Sequence, residues 1–328
     1  MTVRLTGTGK LVLGVAVVGF ALGWAFGGRS LNVVVVPAVV ALLASRLLIA
    51  RYDEPRVTRE TPRRGHMGQT RRHRLSVEAD DAYPVEITEA MSEGLGGDRT
   101  WTAVADGREF VTPLHLSVRG RQLVGPTAIV ASDPLGLFER EFDYTKTDDV
   151  MVYPRIRGLR GDEAWLGEFL GRTDDRDRFD TVREYRAGDP LRDVNWKASA
   201  KYPGQLMVTQ FTGDRAVKRV LIAAEADEGE ADRVAEAAAS LAVYLLDVGL
   251  EVGMRTRTRY ETPARGSLQR RRILEALAVM DAGRLPTEVL READFVVSRE
   301  VGGVSVRLGS ERRPFDHLVE SAAEVSAG

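Results

Sequence analysis

Two long apolar segments near the N-terminus constrain this chain more than any other feature. Residues 11–27 carry no charged side chain, and residues 31–50 are mostly apolar with one cation, Arg46, near the end. Helices of about 20 apolar residues match the hydrocarbon thickness of a bilayer. Because residues 28–30 leave room only for a tight connection, the sequence predicts a transmembrane helical hairpin over 1–50. The alternative is a signal peptide followed by a buried helix.

The distribution of cations predicts the orientation of this hairpin. Arg4 and Lys10 precede the first segment and several arginines follow the second, whereas the connecting turn holds only Arg29. Under the positive-inside rule, both termini are expected on the cytoplasmic side of the cell membrane. The basic segment 51–70 is predicted to be a linker, either solvated or in contact with anionic membrane lipid.

Charge and cysteine content exclude several classes of function. The chain has 328 residues, enough for two further domains, and its 46 basic and 48 acidic side chains nearly cancel. No bulk positive field therefore favours nucleic acid. The absence of cysteine excludes disulfides, thiolate nucleophiles and cysteine-based metal sites. The four histidines are scattered and lack the spacing of a helical zinc site: His66, His73, His115 and His317.

Short β-like runs follow the predicted linker. Four of them alternate, or nearly alternate, polar and apolar side chains: residues 74–78, 101–105, 115–118 and 127–130. Gly, Pro and Asp separate these runs, which predicts an antiparallel β-sandwich-like domain over 71–154. The segment D-P-L-G-L-F at 133–138 is typical of a structural turn with an apolar plug.

Strand-like and helix-like segments alternate in the C-terminal half. Residues 217–224 suit a strand buried on both faces, and apolar residues recur at helical spacing over 231–248. Further segments are a helix at 268–280 and strands at 250–256, 295–298 and 304–308. The alternation predicts an α/β domain over 155–328 with a mainly parallel sheet covered on both sides. The charge-dense segment 160–180 is predicted to be a solvated loop.

The most unusual segment is 183–201, which reads R-E-Y-R-A-G-D-P-L-R-D-V-N-W-K-A-S-A-K. It surrounds an indole with cations and carboxylates. Its candidate signature or partner-binding residues are Arg183, Tyr185, Arg186, Gly188, Asp189, Arg192, Asp193, Trp196, Lys197 and Ser199. Two interpretations are open. Tyr185 and Trp196 are core aromatics beside paired charges, or the charged face docks a protein, since Arg, Tyr and Trp are enriched at binding hot spots.

This segment resembles the signature of the domain-of-unknown-function family 58 (DUF 58), roughly R-x-Y-x-x-G-D-x-x-R-x-(I/V)-x-W-x-x-S-A-(R/K). Every fixed position of that pattern is filled, from Arg183 to Lys201. The resemblance implies a membrane-anchored protein in which a β-rich region precedes a von Willebrand factor A-like domain. It also implies a MoxR-type AAA+ ATPase as a partner, because family members are often encoded beside one.

Von Willebrand-like domains that bind Mg²⁺ often place D-x-S-x-S after a buried strand, and this chain departs from that pattern. Its segment 225–230 offers carboxylates but no hydroxyl. Glu225 and Asp227 are the remaining metal candidates, and the sequence predicts no metal and no other cofactor. A nucleotide-binding loop, a nucleophile elbow and a dinucleotide fingerprint are all absent from the sequence.

The sequence therefore predicts a membrane-anchored adaptor and not an enzyme. It would present a von Willebrand factor A-like domain to a MoxR-type AAA+ ATPase that assembles or remodels a client complex, with further membrane proteins as candidate partners. Two alternatives stay open: a metal- or carboxylate-dependent membrane-associated hydrolase, and an envelope structural protein.

Overall fold

A computed structural model of the chain describes residues 3–26, 31–159, 182–185, 196–201, 206–209, 219–300 and 302–319. The chain divides into two units, Met1–Pro154 and Arg155–Gly328. The signature candidates Arg186, Gly188, Asp189, Arg192 and Asp193 lie outside the described residues, as does the charge-dense segment 160–180.

Two apolar helices begin the first unit, α1 (Gly7–Phe26) and α2 (Asn32–Ala50). Each is about 30 Å long at a rise of 1.5 Å per residue, which is long enough to span a membrane. Only 11% of the apolar window of α1 and 22% of that of α2 is buried. Large apolar side chains such as Phe20 and Val33 are exposed along both helices. The alternative of a buried second helix is therefore wrong.

The rest of the first unit, as far as the structure describes it, contains ten strands and one short 3-10 helix, Glu93–Leu95. The strands are β1 (Val3–Leu5), β2 (Arg56–Glu60), β3 (Arg64–His66), β4 (Thr70–Glu78), β5 (Pro84–Met91), β6 (Arg99–Val104), β7 (Asp106–His115), β8 (Gly120–Ser132), β9 (Phe138–Tyr144) and β10 (Asp148–Tyr153). One sheet has the order β1-β9-β8-β10-β3, with β5 also paired to β8 and β6 to β5. The other sheet has the order β2-β4-β7. All pairs are antiparallel except β10 with β3.

The two sheets share one hydrophobic core. Leu75 and Val77 project from β4, and they pack in one buried cluster with Val85 and Ile87 from β5 and with Ile129 from β8. These residues alternate with more exposed ones along each strand, as expected of a strand with one face in a core. A β-rich domain is thus confirmed, although the predicted run 115–118 is mostly outside a strand.

The segment 51–70 is not a plain linker. It contains β2, which pairs with β4, and β3, which pairs with β10. Val57 of β2 packs against the core. The prediction failed because five arginines make this segment look solvated, and one of them, Arg59, shares the inward face of β2 with Val57 and hides the two-residue apolar period of a strand.

The sandwich holds the start of the helical hairpin. Strand β1 pairs with β9, and Thr6 then donates from its backbone N–H to the carbonyl oxygen of Leu137 (3.0 Å). The hydroxyl of Thr6 also donates to the carbonyl of Gly136 (2.6 Å). A Cβ at Gly9 would overlap the carbonyl oxygen of Leu137, so glycine permits this close approach. The predicted turn at 133–138 therefore contacts the first turn of α1.

The sandwich also holds the end of the hairpin. Ile49 in the last turn of α2 is fully buried in the shared core. The ring of Tyr52 stacks on that of Tyr83 with centroids 4.1 Å apart. Three side chains of the sandwich donate to backbone carbonyls after α2: Arg140 to Tyr52, Tyr83 to Asp53 and Tyr144 to Pro55. Both outer ends of the hairpin are thus fixed to the same unit.

The second unit contains a six-stranded sheet and several helices. Its strands are β13 (Arg219–Ala224), β14 (Glu251–Arg255), β15 (Tyr260–Ala264), β16 (Phe295–Glu300), β17 (Gly303–Leu308) and β18 (Glu311–Pro314). Its longer helices are α4 (Ala231–Asp247), α5 (Ser267–Ala278) and α6 (Thr287–Glu292). The order across the sheet is β15-β14-β13-β16-β17-β18.

Only the centre of this sheet is parallel. Strand β13 is parallel to β14 and β16, whereas the three outer pairs are antiparallel. The prediction of a mainly parallel sheet was wrong because the connections after β14, β16 and β17 are too short. A parallel crossover needs a dozen or more residues.

Both faces of the central strand are covered, as predicted. Ala223 packs with Leu285, Ala293 and Val296 in one buried cluster on the face of α6. By the alternation of a strand, Ile222 projects from the opposite face, and it is also fully buried. Helix α4 packs against β13, β14, β16 and β17.

Candidate functional site

The ends of the signature segment meet in a small element of their own. Strands β11 (Val182–Glu184) and β12 (Met207–Thr209) pair antiparallel, with the short helix α3 (Trp196–Ser199) between them in sequence. The backbone N–H of Tyr185 donates to the carbonyl of Leu206 (2.7 Å). The hydroxyl of Ser199 accepts from the N–H of Met207 (2.8 Å). Ser199 therefore links α3 to β12 by a hydrogen bond. Arg183 lies in β11.

The indole of the signature faces solvent. Trp196 is 66% exposed, and the neighbouring Lys197 is exposed as well. Leu206 is a further exposed apolar side chain in this element. Tyr185 is half-buried. The interpretation of Trp196 as a core aromatic is thus wrong, because most of the surface of its ring is exposed to solvent.

A second candidate site lies where the strand order of the α/β sheet reverses. Counted within this six-stranded sheet, the strands follow the order 3-2-1-4-5-6, and β13 and β16 are the neighbours at which the order reverses. Ligands in such sheets bind beyond the carboxyl ends of those two strands. An open pocket of about 190 Å³ lies there, lined by Glu225, Ala226, Asp227, Arg284, Ser298, Arg299 and Glu300.

The carboxylates around this pocket already have partners. Asp227 accepts two hydrogen bonds from the guanidinium of Arg284 (3.2 and 3.3 Å), and Glu225 accepts one from the backbone N–H of Leu285 (2.9 Å). The hydrogen bond to Asp227 and the charges of Asp227 and Glu225 raise the pKa of Arg284. Within the described part of the chain, no three histidine or acidic side chains form a cluster that could hold a metal. A metal at Asp227 would compete with the guanidinium of Arg284 for the carboxylate oxygens.

A buried polar network inside the sandwich was not predicted. The Nε of Arg59 lies 2.8 Å from one carboxylate oxygen of Glu89, and Nε2 of His73 lies 2.8 Å from the other. The side chain of Arg59 is 6% exposed, and those of Glu89 and His73 are fully buried. Arg59 also donates to Thr127 (2.7 Å) and to Asp148 (3.4 Å).

The network joins the two sheets of the sandwich. Arg59 and His73 belong to the sheet of β2 and β4, whereas Glu89 belongs to β5 in the other sheet. A sequence signal existed. Glu89 lies at the same strand parity as the buried Val85 and Ile87. A charge at a core-facing position of a strand is paired when it is buried.

Fold and sites together define a chain with two apolar helices, a β-rich unit and an α/β unit. No protein-family model and no curated protein matches it. Among solved structures, it is similar to the PKD domain of a peptidase from a Thermoplasmatales archaeon, with 18% identity over 29% of this chain and 99% of that one, at a TM-score of 0.22. It is also similar to a CARDB domain from Pyrococcus furiosus, with 11% identity over 31% of this chain and 90% of that one, at a TM-score of 0.22.

Proposed function

We propose that this protein is a two-pass membrane adaptor that presents a von Willebrand factor A-like unit to a MoxR-type AAA+ ATPase in the cytoplasm. The partner and the family come from the resemblance of segment 183–201 to the DUF 58 signature. The ATPase would supply the energy for remodelling a client complex, because this chain has no nucleotide-binding motif.

The anchoring of the hairpin supports the membrane part of the proposal. Thr6 before α1 and Tyr52 after α2 are both bound to the same β-rich unit. Two helices of membrane-spanning length whose outer ends are held together must cross the bilayer as a pair. The exposed apolar side chains between those ends then face lipid instead of water.

The strand order supports the von Willebrand-like part. The strand order 3-2-1-4-5-6 matches that of doubly wound α/β domains, and the three central strands share their parallel direction, whereas the outer strands are antiparallel. Asp227 and Arg284 form an ion pair just after β13, where von Willebrand-like domains that bind Mg²⁺ often place their ligands. Because Asp227 is neutralised by the chain itself, the proposal assigns no catalytic metal, and the hydrolase alternative gains no support from this pocket.

The exposure of Trp196 is the observation that carries the proposal. An exposed indole beside Lys197 gives a partner both apolar area and a charge. Tryptophan is among the residues whose truncation costs most at protein interfaces, where the loss of one hot spot costs about 2 kcal/mol or more. Docking at α3 therefore explains why a hydrophobic ring lies on the surface of the signature.

The test is binding of the full-length protein, in lipid nanodiscs, to the MoxR-type ATPase encoded in the same genome. We expect Trp196→Ala to weaken binding at least ~30-fold, which corresponds to about 2 kcal/mol. Tyr260→Ala is the matched control, because Tyr260 is an exposed aromatic of the same unit outside the signature. Equal binding by Trp196→Ala and wild type would remove α3 from the interface, and no binding by wild type would refute the ATPase as the partner.

A further inference from the structure

The turn at 133–138 has properties that its structural role does not require. Its tip, Pro134 and Leu135, is exposed and apolar, and Leu135 is 58% exposed. The adjoining Leu137 is buried, at 4% exposure. Packing therefore accounts for Leu137 but leaves Leu135 without a role in the described contacts.

The backbone of this turn needs no water for its donors. Pro134 has no N–H, and Asp133 accepts from the next four backbone N–H groups: its carboxylate from Leu135 (2.9 Å), Leu137 (2.7 Å) and Phe138 (2.6 Å), and its carbonyl from Gly136 (2.9 Å). Asp133 itself is buried. The carbonyls of Gly136 and Leu137 accept from Thr6. Irregular backbone in contact with lipid is otherwise costly because its polar groups lose their hydrogen bonds.

The turn also lies at the level where α1 becomes apolar. Thr6, which binds the turn, immediately precedes the helix. Leu11, the first large apolar side chain of α1, is exposed. It lies about 6 Å along the helix axis from Gly7, since each residue advances the helix by 1.5 Å. A bilayer that contains α1 therefore reaches the immediate neighbourhood of the turn.

We propose that this turn is a membrane-dipping anchor whose tip, Pro134 and Leu135, enters the interfacial lipid of the leaflet in which α1 begins. The inference depends on the membrane hairpin of the proposed function. The anchor would add a third point of attachment beside the two helices and fix the tilt of the β-rich unit on the membrane surface. Its ligand is the acyl-chain boundary of phospholipid, because the tip offers apolar area and no charge.

The absence of cysteine allows a direct test. An environment-sensitive fluorophore is attached at Leu135→Cys in the full-length protein, reconstituted in phosphatidylcholine and phosphatidylglycerol vesicles. Quenching by nitroxide-labelled phospholipid is compared with quenching by aqueous iodide. We expect strong quenching by the labelled lipid, loss of iodide quenching and a blue shift of the emission.

Two further sites make the result decisive. Leu123→Cys labels another exposed leucine on β8, about 30 Å along the strand from the end that leads into the turn. A fluorophore there should be quenched by iodide and not by the labelled lipid. Val17→Cys labels the lipid-facing middle of α1. If Val17 is quenched by lipid but Leu135 responds only to iodide, or to neither quencher, the anchor is refuted and the hairpin stands. If Leu123 is also quenched by lipid, a specific dipping turn is refuted, and if Val17 escapes lipid quenching, both proposals fail.

Discussion

Trp196 shows how far a single residue can be interpreted from sequence. Its large apolar area made burial the natural expectation, but the ring is exposed on a four-residue helix. A tryptophan is compatible with either of two environments, a buried core or an exposed protein-binding surface. The choice depends on whether neighbouring elements cover the ring, and those contacts are long-range.

The exposure of Trp196 predicts that Trp196→Ala changes the stability of the protein little. Surface substitutions usually alter the free energy of unfolding by less than about 0.5 kcal/mol. Trp101 is the matched comparison, because its ring packs against both hydrophobic clusters of the β-rich unit. Trp101→Ala should cost about 3 kcal/mol, since it leaves a cavity. Denaturant melts of both variants in detergent check this, and comparable losses would show that Trp196 is packed.

Tyr83 provides a prediction about alkaline pH. Burial raises its pKa to about 12, with smaller contributions from the charges of Asp53 and Glu54, while Arg140 lowers it. The neutral phenol is therefore favoured in the fold. Its stabilisation is complete below the ordinary tyrosine pKa of about 10 and is lost as pH rises from there through about 12. In that pH window, the hydrogen bond from Tyr83 to the carbonyl of Asp53 should weaken, and with it the attachment of the chain after α2 to the β-rich unit.

The measurement is tyrosinate absorbance and thermal melting across that pH range. Tyr83→Phe should remove one late-titrating phenol and flatten the decline in stability. It should also cost about 1 kcal/mol at neutral pH, because the hydrogen bond to Asp53 is lost. Tyr260→Phe, at an exposed ring, is the control. An unchanged pH profile in Tyr83→Phe would exclude this tyrosine as the source of the alkaline loss.

At the scale of elements, strand parity carried more information than charge. The arginines of 51–70 suggested a linker, but Val57 and Arg59 share the inward face of β2. Apolar periodicity predicted α4, α5 and four of the six strands of the α/β sheet. It missed β15, β18 and α6, in which no side chain is fully buried. The outer strands are antiparallel because the connections between them are too short for a parallel crossover, and the prediction of a mainly parallel sheet did not take this length into account. Strand pairing itself could not be predicted, because pairing joins residues far apart in sequence.

The buried network predicts a large effect from one carboxylate. Glu89→Ala would leave the guanidinium of Arg59 buried without its main partner, and breaking such a pair costs about 3–5 kcal/mol. Glu86→Ala, on the exposed face of the same strand, should cost less than about 0.5 kcal/mol. Chemical denaturation monitored by tryptophan fluorescence measures both. If the two variants have equal stability, Arg59 must have enough solvent or other partners to tolerate the loss.

At the scale of the whole molecule, the hairpin and the β-rich unit set the topology. The positive-inside rule, applied to Arg4 before α1, Lys10 in its first turn and Arg51 after α2, predicts a cytoplasmic position for both of these ends. The attachment of Thr6 and Tyr52 to one unit independently requires that they lie on the same side. The sequence predicts which side of the membrane the two ends lie on, and their attachment to one β-rich unit is the structural reason to expect them on the same side.

Reporter fusions test this topology. Green fluorescent protein fused after Gly328 should fluoresce, and alkaline phosphatase inserted in the 28–30 turn should be active outside the cytoplasm. A double variant, Lys10→Glu with Arg51→Glu, weakens the cation bias while keeping both helices and the ion pair between Arg4 of β1 and Glu141 of β9. Because the β-rich unit still binds both hairpin ends, we expect this variant to lose membrane insertion or to invert as a whole, never to place its ends on opposite sides. Protease cleavage of the C-terminal unit from outside intact wild-type cells would contradict the orientation, and a stable form with one crossing would contradict the role of the β-rich unit in pairing the helices.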